Sequence, residues 1–267
     1  MVNEFPQALT VAGTDSGGGA GVMADIKTMQ ERHVFAAAVV VAVTAQNTIG
    51  VSDFMAMPTK LIDEQFKAVA DDLKIRAVKT GMLADVTSVQ TVVRNFETYD
   101  FGPLTVDPVM IAKGGAKLLA DDAIKTVRDE LLPLATIVTP NLPEAEELTE
   151  MHIKDEATMQ LAGHRLQELG AKNVIVKGGH SDGNQVSDFV LLEDGQSFWL
   201  SAPRIDTVRT HGTGDTLSSA ITAELAKEND IETAIRTAKK YVQATIADGI
   251  EVGHGHGPLN HWAGRNI

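Results

Sequence analysis

Residues Ala36 to Thr44 read Ala-Ala-Ala-Val-Val-Val-Ala-Val-Thr, a nearly unbroken apolar run. A run this short and this rich in valine suits a strand buried on both faces, as in a parallel sheet covered by helices. A parallel sheet requires helical crossovers, so the rest of the chain must alternate strand and helix. It does. Gln7 to Ala12 reads as a strand, Gly13 to Gly21 as a glycine-rich loop, and about Ala20 to Glu31 as a helix. Ile62, Phe66, Val69 and Leu73 step by four, three and four, the stripe of a helix lying on a sheet. Short strands follow around Val78, at Leu104 to Pro108, at Ala135 to Thr139 and at Asn173 to Val176. Between them run helical stripes at Ala120, Ile124, Val127 and Leu131 and at Met159, Ala162, Leu166 and Leu169, the second stopped by Gly170. Val186 to Leu192 and Gln196 to Leu200 flank Asp194-Gly195, a hairpin signal. A last helix carries Ile231, Ala234, Ile235, Ala238, Tyr241, Val242 and Ile246. The pattern predicts an α/β fold, a mainly parallel sheet with helices on both faces and an antiparallel edge, as one domain over residues 1–267.

Composition narrows the function. A formal charge of −13 disfavours nucleic acid and anionic lipid as partners. It also means that any site for an anionic ligand must make its own positive potential from lysines, glycine loops or a metal. The chain has no cysteine, which excludes disulfides, thiolate nucleophiles and cysteine metal sites and is compatible with a reducing cytoplasm. Met1-Val-Asn-Glu-Phe-Pro6 lacks the basic and apolar regions of a signal peptide, and the apolar run from Val34 to Val43 is too short to span a bilayer. No membrane association is expected.

The chemistry gathers at predicted strand ends, where ligands of open α/β sheets bind. Arg209-Thr-His-Gly-Thr-Gly-Asp-Thr-Leu-Ser-Ser219 runs straight into a helical pattern at Leu217, Ala220, Ile221 and Leu225. Glycines turn successive N–H groups toward one point, and a helix start adds unpaired N–H groups and the positive end of its dipole. Gly212, Thr213 and Gly214 can so cradle a phosphoryl group in transit, with Asp215 as a proton acceptor at its edge. A turn with an aspartate cap would leave the same trace. Asn141-Leu-Pro-Glu144 places an amide and a carboxylate three residues apart at a helix start, a set that suits Mg²⁺ through its waters or serves as a capping box. Asp107 can bring a second carboxylate to that metal or close a turn, and Lys177 can reach a phosphate or carry surface charge. Asp25 lies one helical turn beyond Gly21. Gly13 to Gly21 is a poor dinucleotide fingerprint, because no acidic residue follows a second strand at the expected place. His254, His256 and His261 fit a glycine-rich closing loop better than a metal site.

Taken together, the motifs resemble the hydroxymethylpyrimidine/phosphomethylpyrimidine kinases of thiamine biosynthesis. They are Ala12-Gly-Thr-Asp-Ser16, Gly18-Gly-Ala-Gly21, Ala24-Asp-Ile-Lys-Thr28, Thr44-Ala-Gln-Asn-Thr48, Thr80-Gly-Met-Leu83, Asp107-Pro-Val-Met110, Thr139-Pro-Asn-Leu-Pro-Glu-Ala145, Val176-Lys-Gly-Gly-His180, Ser201-Ala-Pro-Arg204 and Thr210-His-Gly-Thr-Gly214. The resemblance implies a ribokinase-like three-layer α/β/α sandwich, ATP as phosphoryl donor, Mg²⁺ and a homodimer. It places Gly13, Asp25, Gln46, Met82 and Val109 around the pyrimidine. It places Asp107, Asn141, Glu144, Lys177 and Thr210 with the nucleotide, Glu144 and Asp107 nearest the metal. Gly212, Thr213 and Gly214 become the anion hole and Asp215 the base. Many pyrimidine and pyridoxal kinases of this branch carry cysteine at the position of Asp215, whereas sugar kinases of the wider superfamily carry aspartate. With reference pKa values of about 8.5 for cysteine and about 3.9 for aspartate, the carboxylate is ionised at neutral pH without help. The Gln46 amide can meet an aminopyrimidine edge in two hydrogen bonds, which favours the pyrimidine over B6 vitamers. The alternatives are a pyridoxal or pyridoxine kinase, a non-catalytic nucleotide-binding protein and, most remote, a dehydrogenase.

Overall fold

The sheet changes direction at its first strand. β1 (Gln7–Gly13) lies between β2 (Phe35–Gln46) and β4 (Ile75–Thr80) and runs parallel to both. The chain reaches β2 through α1 (Gly21–Glu31) on one face and β4 through α2 (Thr59–Asp72) on the other. That reversal opens a crevice beyond the carboxyl end of β1, the place where open α/β sheets bind ligands. β5 (Leu104–Val106), β6 (Ile137–Val138) and β7 (Asn173–Val176) continue in parallel beside β4. Antiparallel strands close both edges: β3 (Val51–Ala56) beside β2, and the hairpin of β8 (Gln185–Leu191) and β9 (Ser197–Pro203) beside β7. The computed structural model describes residues 4–111, 119–179 and 183–264, and all nine strands belong to one sheet in the order β3-β2-β1-β4-β5-β6-β7-β8-β9.

Two helical layers sandwich the sheet. α2, α3 (Val86–Thr98), α4 (Asp121–Thr126), α5 (Leu142–Thr149) and α6 (Glu156–Glu168) cover one face. α1, α7 (Thr213–Ala226) and α8 (Ile231–Ala247) cover the other. α4 runs on into a π-type turn at Val127–Leu131 and a 3-10 turn at Leu132–Leu134. α7 is buried along nearly its whole length, which its run of small and aliphatic residues allows. Among the described residues no helix is long and apolar enough to cross a membrane.

Two features depart from the sequence reading. β2 is not buried on both faces: Phe35 is 54% and Val43 44% exposed. The reason is its neighbour. β2 pairs with the edge strand β3, whose residues are themselves mostly exposed, and one face of the β2–β3 ribbon is open to solvent. β3 and α3 were not foreseen. α3 has a clear start in Asp85, whose side chain accepts a hydrogen bond from the Ser88 N–H.

Phe66 centres the larger core. It is wholly buried, with the Phe96 and Phe101 rings at 5.6 and 6.0 Å. Phe66→Ala should cost about 3 to 5 kcal/mol in urea unfolding; a loss below about 1 kcal/mol would mean that α2 is not anchored there.

Candidate active site

The loops at the carboxyl ends of β1, β2, β4, β5, β6 and β7 meet the amino end of α7. Gly212 makes that meeting possible. It takes a φ of +79° as the residue before α7, and a Cβ there would collide with the carbonyl oxygen of Gly19. No side chain caps the helix, so its first-turn N–H groups and dipole face the loops. The next residues divide the space. A Cβ on Gly214 would lie 3.3 Å from both the Asp107 carboxylate and the Lys177 ammonium group. Asp215 turns the other way, with Oδ1 3.5 Å from Lys79 Nζ and beside Gly81. Anion hole and carboxylate are therefore adjacent but point to different neighbours.

Asp25 and Lys79 are both 0% exposed and lie 2.7 Å apart. Thr10 and Ser219 also donate to the Asp25 carboxylate. Burial pushes the Asp25 pKa up to about 6, against the pull of Lys79. Burial alone would lower Lys79, but the Asp25 and Asp215 carboxylates outweigh it and hold the amine charged. Asp25 is expected around the pyrimidine, and the structure sets it within this buried network. It has no open surface, and both of its oxygens are already taken by buried donors.

The remaining pocket residues do come together. Gly13 donates its N–H to the Met82 carbonyl, and a Cβ on Gly13 would lie 2.7 Å from the Met82 methyl carbon, so a larger residue would push the end of that side chain aside. Met82 packs with Ala42, Ala84 and Val109 as an apolar wall. Gln46 stands at the end of β2, where Thr44 donates to its side-chain oxygen. His211 Nε2 lies 3.3 Å from the Gln46 amide nitrogen and 2.8 Å from Asp15 Oδ2. Asp15 also accepts from the N–H groups of Gly17, Gly19 and Ala20. Burial pushes the Asp15 pKa up, but the bonds from His211, Gly17 and Gly19 outweigh it and hold the group below the ordinary carboxylate value. Asp15 and His211 thus tie the glycine-rich loop to the chain leading into α7.

On the nucleotide side, Lys177 Nζ lies 3.2 Å from Asp107 Oδ1, and Thr139 and Ser218 donate to the same carboxylate. Asn141 and Glu144 form a complete capping box at the start of α5: each backbone N–H meets the other's side chain. The sequence left cap and ligand open, and the cap is present. Burial pushes the Glu144 pKa up to about 7, against the pull of Lys177. Thr210 accepts from the Thr213 hydroxyl through its carbonyl. Among the described residues no group of three or more His, Cys, Asp and Glu is arranged to enclose a metal. Asp107 and Glu144, with Lys177 close to both, suit an ion held mainly by water and phosphate oxygens. The three histidines do not converge. His254 and His256 are exposed, while His261 is buried beside Thr216, and burial pushes its pKa down to about 4.

The family model described as phosphomethylpyrimidine kinase matches residues 15–260. The hydroxymethylpyrimidine/phosphomethylpyrimidine kinase of Haemophilus influenzae is 50% identical over 265 residues, 98% of each chain. The crystal structure of an ADP complex of Bacillus subtilis pyridoxal kinase superposes with a TM-score of 0.91 at 33% identity, over 99% of this chain and 100% of that one. A phosphomethylpyrimidine kinase structure from Clostridium difficile gives 0.78 at 39% identity, over 89% and 97%. The scaffold is thus common to kinases of two vitamins, and sequence identity favours the pyrimidine branch.

The Asp15 lock is testable without an activity assay. A carboxyl held below its unfolded value contributes stability above the ordinary carboxylate range, and that stability is lost as pH falls through the native value. Asp15→Asn should therefore be less stable than the parent at neutral pH and show a shallower decline below about pH 4 in urea unfolding. Parallel stability profiles for the two proteins would rule the lock out.

Proposed function

The chain belongs to the phosphomethylpyrimidine kinase family, and from that premise we propose how its site works. It is a phosphotransferase of thiamine biosynthesis. It transfers phosphate from ATP to the hydroxymethyl group of 4-amino-5-hydroxymethyl-2-methylpyrimidine, and then to the monophosphate, giving the diphosphate. The observation that carries the mechanism is the placement of Asp215. Its carboxylate stands one residue beyond a glycine that faces Lys177, and on the side of the helix that faces Gly81 and the pyrimidine pocket.

In this reading the terminal phosphate of ATP rests on the first-turn N–H groups of Gly212, Thr213 and Gly214, with Lys177 and Thr210 alongside. The pyrimidine lies between Met82 and Val109, over Gly13, with Gln46 on its aminopyrimidine edge. Asp215 accepts the hydroxyl proton as the alcohol oxygen bonds to the γ-phosphorus. The bond from that phosphorus to the bridging oxygen breaks, and ADP leaves. The helix head supplies fixed dipoles where charge spreads over the moving phosphoryl group, and binding supplies alignment. Bound Mg²⁺ would neutralise phosphate charge, and Glu144 and Asp107 are the carboxylates placed to hold it, largely through water.

An ATP-consuming vitamin kinase belongs where ATP is made and used, which puts the chain in the cytoplasm, acting as one domain. A homodimer is supported by the open face of the β2–β3 ribbon. Val43 and Met55 sit directly opposite each other there, and Met55 is 65% exposed.

Asp215→Ala should lower kcat by about two to four orders of magnitude while ATP affinity barely changes, because a base acts in the transition state and not in nucleotide binding. Near-normal turnover in a coupled ADP-release assay would remove Asp215 from the reaction. The same assay, run with the pyrimidine and with pyridoxal, should give the higher kcat/KM for the pyrimidine; the reverse order would make this a B6 kinase.

A further inference from the structure

Lys79 stands out among groups that the reaction above does not use. It is a lysine with no solvent exposure, set near the end of a central strand, and its Nζ reaches two carboxylates, Asp25 at 2.7 Å and Asp215 at 3.5 Å. The two contacts are unequal. Asp25 is further fixed by Thr10 and Ser219, so one end of the Asp25–Lys79–Asp215 chain is rigid. The other end is looser, and its carboxylate keeps 15% of its surface open.

We propose that Lys79 is a positioning residue for phosphoryl transfer: anchored on Asp25, its ammonium group sets a positive local potential at position 215 and keeps the Asp215 side chain turned toward the acceptor hydroxyl. The proposal deepens the reading of Asp215 as the base and rests on it. It also gives Asp25 a part, that of holding Lys79 in a place where an unpaired cation could not stay. An ammonium group at this distance would also lower the pKa of any other acid placed at the same position. Lys79 from β4 faces position 215 directly, with Asp25 from α1 on its far side, while Asp107 from the end of β5 and Lys177 from the end of β7 lie against the neighbouring Gly214. Asp107 and Lys177 pair with each other, so their effects on a neighbour largely offset. Lys79 is nearest and sets the sign, with Asp25 opposing it.

The absence of cysteine from the chain makes a direct test possible. Asp215→Cys installs the only thiol, and its thiolate absorbance, followed against pH, reads the local potential whether or not the enzyme turns over. With Lys79 in place the thiol should titrate at least about one pH unit lower than in D215C/K79M/D25N. The paired substitution avoids leaving Asp25 buried and alone, which could prevent folding. D215C/D25N, which keeps the lysine and removes the opposing charge, should titrate lower still. Asp25, pushed up to about 6, is ionised over the range in which a thiol titrates, so the removed charge is a real one. A residue that only filled space would not move the two variants in opposite directions. Equal thiol titrations in all three backgrounds, or an upward shift in D215C/D25N, would overturn the proposal. An active Asp215→Ala enzyme would instead overturn the base assignment, without altering what the thiol reports.

Discussion

A charged amine buried in the middle of a sheet has to be met by carboxylates, because desolvating it unpaired costs more than packing can return. Lys79 imposes that demand on β4. One carboxylate comes from α1 and the other from α7, so both helices must seat against the sheet at this point. Ser219, one helical turn after Asp215, completes the set from the same side of α7. The head of α7 is thereby fixed over the crevice where the strand order reverses. The proposed anion hole, base and acceptor pocket all take their positions from it.

A strongly acidic chain that binds a polyanion must concentrate positive potential locally. It does so with few parts. In the proposed site, Lys177 and the uncapped amino end of α7 meet the phosphates, while Lys79 acts one layer deeper. The carboxylates of this region are each bound into a network: Asp107 by Lys177, Thr139 and Ser218, and Glu144 by the turn it caps. Asp15 and His211 add a mechanical tie, so that the glycine-rich loop and the approach to α7 move as one. Such support matters because catalysis by preorganised dipoles fails when they are free to reorient.

Much of this was legible in the residues, and the failures have physical causes. The alternation of apolar stripes and short β-rich runs located most strands and helices, since periodicity reports which face is buried. It failed at β2. Composition cannot say whether a valine-rich strand ends up central or next to an edge, and β3, which decides it, is short and mostly exposed. α3 carried a readable signal in Asp85 and the Val89, Val92, Val93 and Phe96 stripe, but lay in a stretch without chemical motifs. In the candidate site, the glycine turns and the helix head were legible because local geometry is encoded locally. Lys79, Asp15 and His211 were missed as functional groups because their partners are distant in sequence: Lys79 is 54 residues from Asp25, and His211 is 196 from Asp15. A lysine near the end of a short central strand was the available hint, since charged residues are seldom fully buried unless paired. Asp25 was legible as part of a motif, but its burial against Lys79 was not, because that partner lies on β4.

The account stands or falls on where the transferred phosphate sits. The direct measurement is a crystal structure with a non-hydrolysable ATP analogue, Mg²⁺ and the hydroxymethylpyrimidine bound together. The expected result has the γ-phosphate oxygens within hydrogen-bond distance of the N–H groups at the head of α7, and an Asp215 oxygen within reach of the acceptor hydroxyl. A triphosphate seated away from that helix end, or a hydroxyl that faces another side chain, would contradict it.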